Sequence, residues 1–216
     1  MLSKDNKFSL DAQGVANELY VKFIKTAYNA VLEGVKNSLK IFNNDPSQFE
    51  YRSAKAVWMN SHIKKLFLNS FILDGELTRK VNRLKSHGVD YYVLDGKALV
   101  CFKKMDKKGK INGFYSKRFK EMMMGNAIHY SKTMLDNLAE MGINKPLPIY
   151  YVGHVLDKIG NLADVRLVRY NEGQIAYEMS LMEVFKPNLF TINENDVDKE
   201  IKVTSKRKNN DRNTGS

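Results

Sequence analysis

The apolar residues of this chain change their spacing at Val89, from the period of a helix before it to the period of strands after it. Before Val89, one apolar stripe runs through residues 10–42, at Val15, Leu19, Phe23, Ala27, Val31, Val35, Leu39 and Phe42. After Val89, short apolar runs alternate with turn-forming residues. A segment with one of these periods is not stable in the other conformation, so helices are expected to precede most of the strands.

Three helices are predicted before Val89. The first spans residues 10–42 and the second about 47–71, where Trp58 lies among apolar neighbours typical of a core. The third spans about 76–85 and is ended by His87 and Gly88. The stripe of the first helix is wide, so that helix is predicted either to cover a sheet or to pair with a second copy of itself.

The remainder of the chain predicts a hairpin, one helix and three strands. Asp95 and Gly96 separate two β-rich runs, which is typical of a type I′ turn. A helix is predicted over 117–141, and strands over 149–156, 165–170 and 175–181. The predicted fold is α+β, with N-terminal helices packed on one face of a mainly antiparallel sheet. We divide the chain into an N-terminal amphipathic helix (1–45), an α+β core (46–186) and an irregular basic tail (187–216).

The positive charge is confined to two segments. The chain carries a net charge of +11, yet residues 102–120 hold eight cations against Asp106 alone, and residues 199–216 hold six cations against two acids. Cations and acids cancel in the rest of the chain. A chain that is neutral except for one segment and its tail is typical of a protein with a polyanionic partner.

The basic segment supplies the candidate nucleic-acid contacts. Several cations in succession can meet successive phosphates, and Phe114 and Tyr115 can stack on exposed bases. The alternative is that both aromatic residues belong to the core and that the lysines are only solvated. The candidate binding residues are Lys103, Lys104, Lys107, Lys108, Lys110, Phe114, Tyr115, Lys117, Arg118 and Lys120.

No complete catalytic, metal or cofactor motif is present in the sequence. Cys101 is the single cysteine and is expected in a buried strand, and the histidines are scattered, at His62, His87, His129 and His154. A metal-dependent nuclease would need a carboxylate pair and a lysine on adjacent strands, for which Asp90, Asp95 and Lys97 are available. That set is incomplete, because the run after Lys97 lacks an acid.

Two short motifs carry a resemblance to a family. The run Phe102–Asp106, which follows the Asp95–Gly96 turn, and the later run Tyr151–Asp157 resemble a group of uncharacterised bacterial and mobile-element proteins. These have a hairpin that ends in F-K-K-x-D and a later G-Y-x-L strand, and this chain has His154 where tyrosine is usual. The resemblance implies no particular activity. It implies a setting of regulation or conflict on mobile DNA.

The sequence therefore predicts a non-catalytic, cytoplasmic protein of a bacterium, plasmid or phage that binds DNA or RNA and has a regulatory or defence role. One alternative is a protein-interaction module of antitoxin or inhibitor type that docks on an acidic partner. Another is a metal-dependent nuclease. No cofactor is expected, and no membrane partner, because the chain has no run of about 18 apolar residues. A homodimer through the N-terminal helix is a further hypothesis.

Overall fold

The computed structural model describes residues 18–46, 51–86, 89–111 and 132–185. Its helices are α1 (Glu18–Asn44), α2 (Arg52–Leu73), α3 (Gly75–Lys80), α4 (Lys132–Glu140) and α5 (Leu181–Phe185). Its strands are β1 (Val81–Ser86), β2 (Val89–Leu94), β3 (Ala98–Met105), β4 (Ile149–Leu156), β5 (Leu162–Asn171) and β6 (Gln174–Ser180). The predicted α+β class is confirmed.

The six strands form one sheet in the order β1-β2-β3-β4-β5-β6. Every neighbouring pair is antiparallel except β3 and β4, which are parallel. Parallel neighbours need a long crossover, and α4 lies in the connection between β3 and β4. The sheet is thus two antiparallel meanders of three strands, joined along one parallel seam.

The predicted turn between β2 and β3 is confirmed. Asp95 and Gly96 both have positive φ, at 50° and 62°, as a type I′ turn requires. The amide of Lys97 donates to the Leu94 carbonyl oxygen at 2.9 Å and closes the turn.

The prediction for the third helix is wrong beyond Lys80, where the chain enters β1. The helix itself is short, and the Asp74 side chain caps it by accepting from the amides of Glu76 and Leu77. Val81 and Leu84 are both buried, although they point to opposite faces of a strand. Their three-residue spacing imitates a helix because both faces of this sheet are covered.

Helices α1 and α2 cover one face of the sheet. Phe67 of α2 lies between two aromatic residues of the strands, with ring centroids 4.8 Å from Tyr92 and 5.0 Å from Phe102. Phe23 of α1 joins this cluster at 5.2 Å from Phe67. The apolar stripe of α1 is therefore buried within one chain, so a second copy is not needed to cover it.

Helix α4 covers the opposite face, so the expectation that the helices share one face holds only for α1 and α2. Met134 and Leu138 of α4 pack against residues that alternate with the aromatic cluster, among them Leu99, Cys101 and Tyr151. Cys101 is buried in its strand, as the sequence predicted.

The prediction that Trp58 belongs to the core is wrong. Its side chain is 45% exposed, and the preceding Val57 is 67% exposed. The buried side of α2 is a stripe at four-residue intervals, formed by Met59, Ile63, Phe67 and Phe71. Trp58 is next to Met59 in sequence, so its side chain lies on a different side of the helix from the buried stripe.

Candidate nucleic-acid interface

The basic segment begins inside β3, where Lys103 and Lys104 lie on opposite faces of the sheet. Successive side chains of a strand alternate, so Lys104 shares the α1/α2 face with Phe102, whereas Lys103 points to the α4 face. In the parallel register Lys103 lies beside Gly153 and Lys104 beside His154. These two cations, predicted as one set, therefore lie on different faces of the sheet.

The three next lysines belong to a tight loop, as predicted, over residues 106–110. Asp106 Oδ1 accepts hydrogen bonds from the amides of Lys108 and Lys110, at 2.8 and 2.9 Å. The Asp106 amide donates to the Lys110 carbonyl oxygen at 2.7 Å. Because this carboxylate holds its own loop together, it leaves Lys107, Lys108 and Lys110 exposed to solvent.

Tyr170 of β5 fixes this loop on the α4 face of the sheet. The Tyr170 hydroxyl accepts from the Ile111 amide at 2.9 Å and donates to the Gly109 carbonyl oxygen at 3.2 Å. Since both bonds are buried, the loop has a defined position at the end of the sheet.

The loop after β4, residues 157–161, repeats this construction. Asp157 Oδ1 accepts from the amides of Ile159 and Asn161, at 2.9 and 2.8 Å. The Asp157 amide donates to the Asn161 carbonyl oxygen at 2.8 Å. Gly160 has positive φ, as does Gly109 in the first loop. We call 106–110 and 157–161 the twin loops.

The twin loops share the pattern Asp-Lys-x-Gly, which sequence analysis missed although both copies are visible in the chain. Because β3 and β4 are adjacent and parallel, the two loops leave the sheet at the same edge. Lys158 thus occupies the place in the second loop that Lys107 occupies in the first, and it is also exposed. We call Lys107, Lys108, Lys110 and Lys158 the basic edge.

The basic edge has no acidic partner among the residues that the structure describes. The ion pairs among the described residues involve other cations, such as Lys22 with Asp74 at 2.9 Å. The four positive charges are therefore available to an anion from outside.

A cavity of about 600 Å³ lies between the twin loops and the ends of α1 and α2. Four lysines line it: Lys55, Lys104, Lys107 and Lys158. Apolar residues also line it, among them Leu39, Phe42, Met59 and Leu156. The cavity thus combines cations with apolar side chains, and both the helices and the strand ends contribute to each.

His154 of β4 lines the same cavity and is only 5% exposed. Burial, with a smaller contribution from the nearby Lys104 ammonium, lowers the pKa of His154 to about 4. The imidazole is therefore neutral at pH 7, with one nitrogen that donates and one that accepts. The sequence does not show that His154 lies beside Lys104, because the two residues are on different strands.

The other predicted contacts, Phe114, Tyr115, Lys117, Arg118 and Lys120, lie outside the described residues, as does most of the helix predicted over 117–141. The basic tail lies outside them as well.

The structure does not assemble the nuclease set. Asp90 forms ion pairs with Arg83 at 2.9 Å and with Lys64 at 3.7 Å, near the start of β2. Asp95 pairs with Lys97 at the other end of that strand. In 18–46, 51–86, 89–111 and 132–185, no group of three or more His, Cys, Asp and Glu residues could hold a metal ion.

Comparisons of the chain with protein-family models, with curated proteins and with solved structures find no match. None of the helices in the described part of the chain has both the length and the apolar character needed to cross a membrane.

Proposed function

We propose that this protein binds nucleic acid through the basic edge and has a regulatory or defence role. The observation that carries the proposal is the pair of twin loops, which place Lys107 and Lys158 at equivalent positions on two adjacent strands. A phosphate backbone presents negative charge at regular intervals, so cations repeated along one edge suit it better than a single cluster does.

The local chemistry of the loops supports contact with phosphate. Asp106 and Asp157 each use Oδ1 for two amides of their own loop, so these acids stabilise the loops that present the lysines. The lysines make no ion pair with a described residue, so binding costs no broken ion pair there. Each phosphate that they neutralise releases counterions, which favours binding at low salt.

The regulatory or defence role rests on the resemblance to mobile-element proteins, and the lysines alone do not decide between DNA and RNA. An acidic protein surface is the main alternative partner, because it also offers closely spaced negative charges. The salt dependence of binding separates these partners.

The experiment compares two variants with equal loss of charge. The test variant replaces the basic edge with glutamine, at Lys107, Lys108, Lys110 and Lys158. The control variant replaces four exposed lysines elsewhere with glutamine, at Lys25, Lys36, Lys65 and Lys85. Fluorescence anisotropy of labelled single-stranded and duplex DNA and RNA, titrated at several salt concentrations, gives the slope of log affinity against log salt.

We expect the test variant to lose about three units of this slope, because each lost phosphate contact removes about 0.7 to 0.9. The control should keep the slope of the wild type. Equal losses in both variants would show that the total charge matters and that the basic edge does not. A wild-type protein without salt-dependent affinity for any of these nucleic acids would refute the proposal.

A further inference from the structure

The cavity between the twin loops and the ends of α1 and α2 has features that binding to a phosphate backbone does not use. A backbone track needs only surface cations, yet this cavity is concave, is lined in part by apolar residues and includes a buried histidine. Its volume of about 600 Å³ lies in the range of small-ligand sites, about 300 to 1,000 Å³.

We infer that this cavity binds a nucleotide through its phosphate monoester group, as the end of a nucleic-acid strand or as a free mononucleotide. The inference deepens the proposed function and rests on it for the choice of ligand. The four lysines that line the cavity supply the charge, and the apolar residues supply the surface for a base or sugar.

The charge of the cavity favours a dianion. Four lysines line it against Asp106 and Asp157, and each of these carboxylates already accepts two amide hydrogen bonds within its own loop. A phosphate monoester carries nearly two negative charges at neutral pH, because its second pKa is about 6. A phosphodiester inside a strand carries only one. The excess of positive charge therefore favours a terminal phosphate.

His154 also lines the cavity and provides a hydrogen-bond donor. Its imidazole is neutral and nearly buried. A neutral imidazole has one N–H that can donate to a ligand. A phosphate oxygen would accept from this ring beside Lys104, its neighbour in the sheet register.

The apolar residues of the cavity can contact the base or sugar of the nucleotide. Leu39 and Leu156 line the cavity with apolar side chains that are only partly buried, and the Lys55 ammonium lies 5.8 Å from the centre of the Phe42 ring. A free inorganic phosphate would leave these apolar side chains in water. A nucleotide covers them with its base or sugar, so both the charged and the apolar residues of the cavity are used.

The test places a negative charge in the cavity without touching the basic edge. Ala56 lines the cavity from the exposed side of α2, so Ala56→Glu should fold normally and repel a phosphate. Ser53→Glu adds the same charge in the preceding turn, at an exposed residue outside the cavity lining, and is the matched control.

The probes are labelled DNA and RNA oligonucleotides that carry a 5′-phosphate, a 3′-phosphate or hydroxyls at both ends, and unlabelled mononucleotides. We expect the full chain to prefer one phosphorylated end by about tenfold, the effect of one charge-assisted hydrogen bond. Ala56→Glu should lose this preference and Ser53→Glu should keep it. If the natural source is a free mononucleotide, it should raise the Tm of the wild type but not that of Ala56→Glu.

Two further outcomes separate this inference from the proposed function. If neither terminal phosphates nor mononucleotides have any effect while long nucleic acids still bind with a steep salt slope, the cavity inference is overturned and the proposed function stands. If mononucleotides raise the Tm but no long nucleic acid binds, the cavity inference is supported and the proposed function fails. Equal effects of Ala56→Glu and Ser53→Glu would also overturn the inference, because they would exclude a role for the cavity itself.

Discussion

His154 should make the stability of this protein depend on pH in a predictable direction. An unfolded histidine has a pKa of about 6.5, whereas burial in β4 lowers the pKa of His154 to about 4. The unfolded chain therefore binds the proton more tightly. The contribution of the neutral imidazole to stability is complete above pH 6.5 and is lost as the pH falls towards 4.

The size of the effect follows from this difference. At about 1.4 kcal/mol per pKa unit, the free energy of unfolding should lose about 3 kcal/mol in total, of which about 2 kcal/mol is lost between about pH 7.5 and about pH 5. Urea unfolding of the wild type and of His154→Gln across this range measures it, because glutamine is polar but does not titrate in this range. The difference between the two curves isolates His154 from every other titrating group.

We expect the wild type to lose stability relative to His154→Gln as the pH falls, whatever the offset between them at neutral pH. Parallel curves from pH 7.5 to 5 would refute the reasoning, since they would mean that His154 binds protons equally in the folded and unfolded chain. NMR titration of the wild-type His154 ring gives an independent check, because its resonances should not titrate above about pH 5.

Two other predictions follow from the packing of the sheet. Gly153→Ala should lower the free energy of unfolding by about 3 kcal/mol, because the added Cβ would collide with the Lys103 carbonyl oxygen and lie 2.7 Å from Met105 Cε. The control Gly75→Ala, with nothing within 4 Å, should change it by less than about 1 kcal/mol in urea denaturation. Burial raises the pKa of the Cys101 thiol to about 12, so a thiol reagent at about pH 8 should label the protein only after denaturant is added. Rapid labelling of the native protein would contradict the buried position of this thiol.

Much of the fold could be predicted because its determinants are local. The Asp95-Gly96 turn needs two residues with positive φ, and the sequence places suitable residues there. A nearly continuous apolar run identified β4, and apolar residues that alternate in part with arginines identified most of β5. By contrast, β1 was mistaken for a helix, because Val81 and Leu84 are buried on opposite faces of a sheet that is covered on both sides. Pairing with β2 favours the strand conformation of β1, although the local spacing of its apolar residues is typical of a helix.

The candidate site was predictable only in part, for a related reason. The loop lysines could be identified from local charge, but Lys104 and Lys158 lie far apart in sequence and line one cavity only because β3 and β4 pair in parallel. Long crossovers leave no local trace of which strands they bring together. His154 and the lining residues from α1 and α2 were missed for the same reason.

The parallel seam also affects how this protein reaches its folded state. Strands β1 to β3 and strands β4 to β6 each pair with near neighbours in the chain, so each meander can form from local contacts. The β3–β4 pairing joins distant segments and bears the loop-closure entropy of the whole crossover. One of the twin loops follows β3 and the other follows β4, so the two loops come together only when these strands pair. A ligand that contacts both loops would therefore stabilise this long-range pairing.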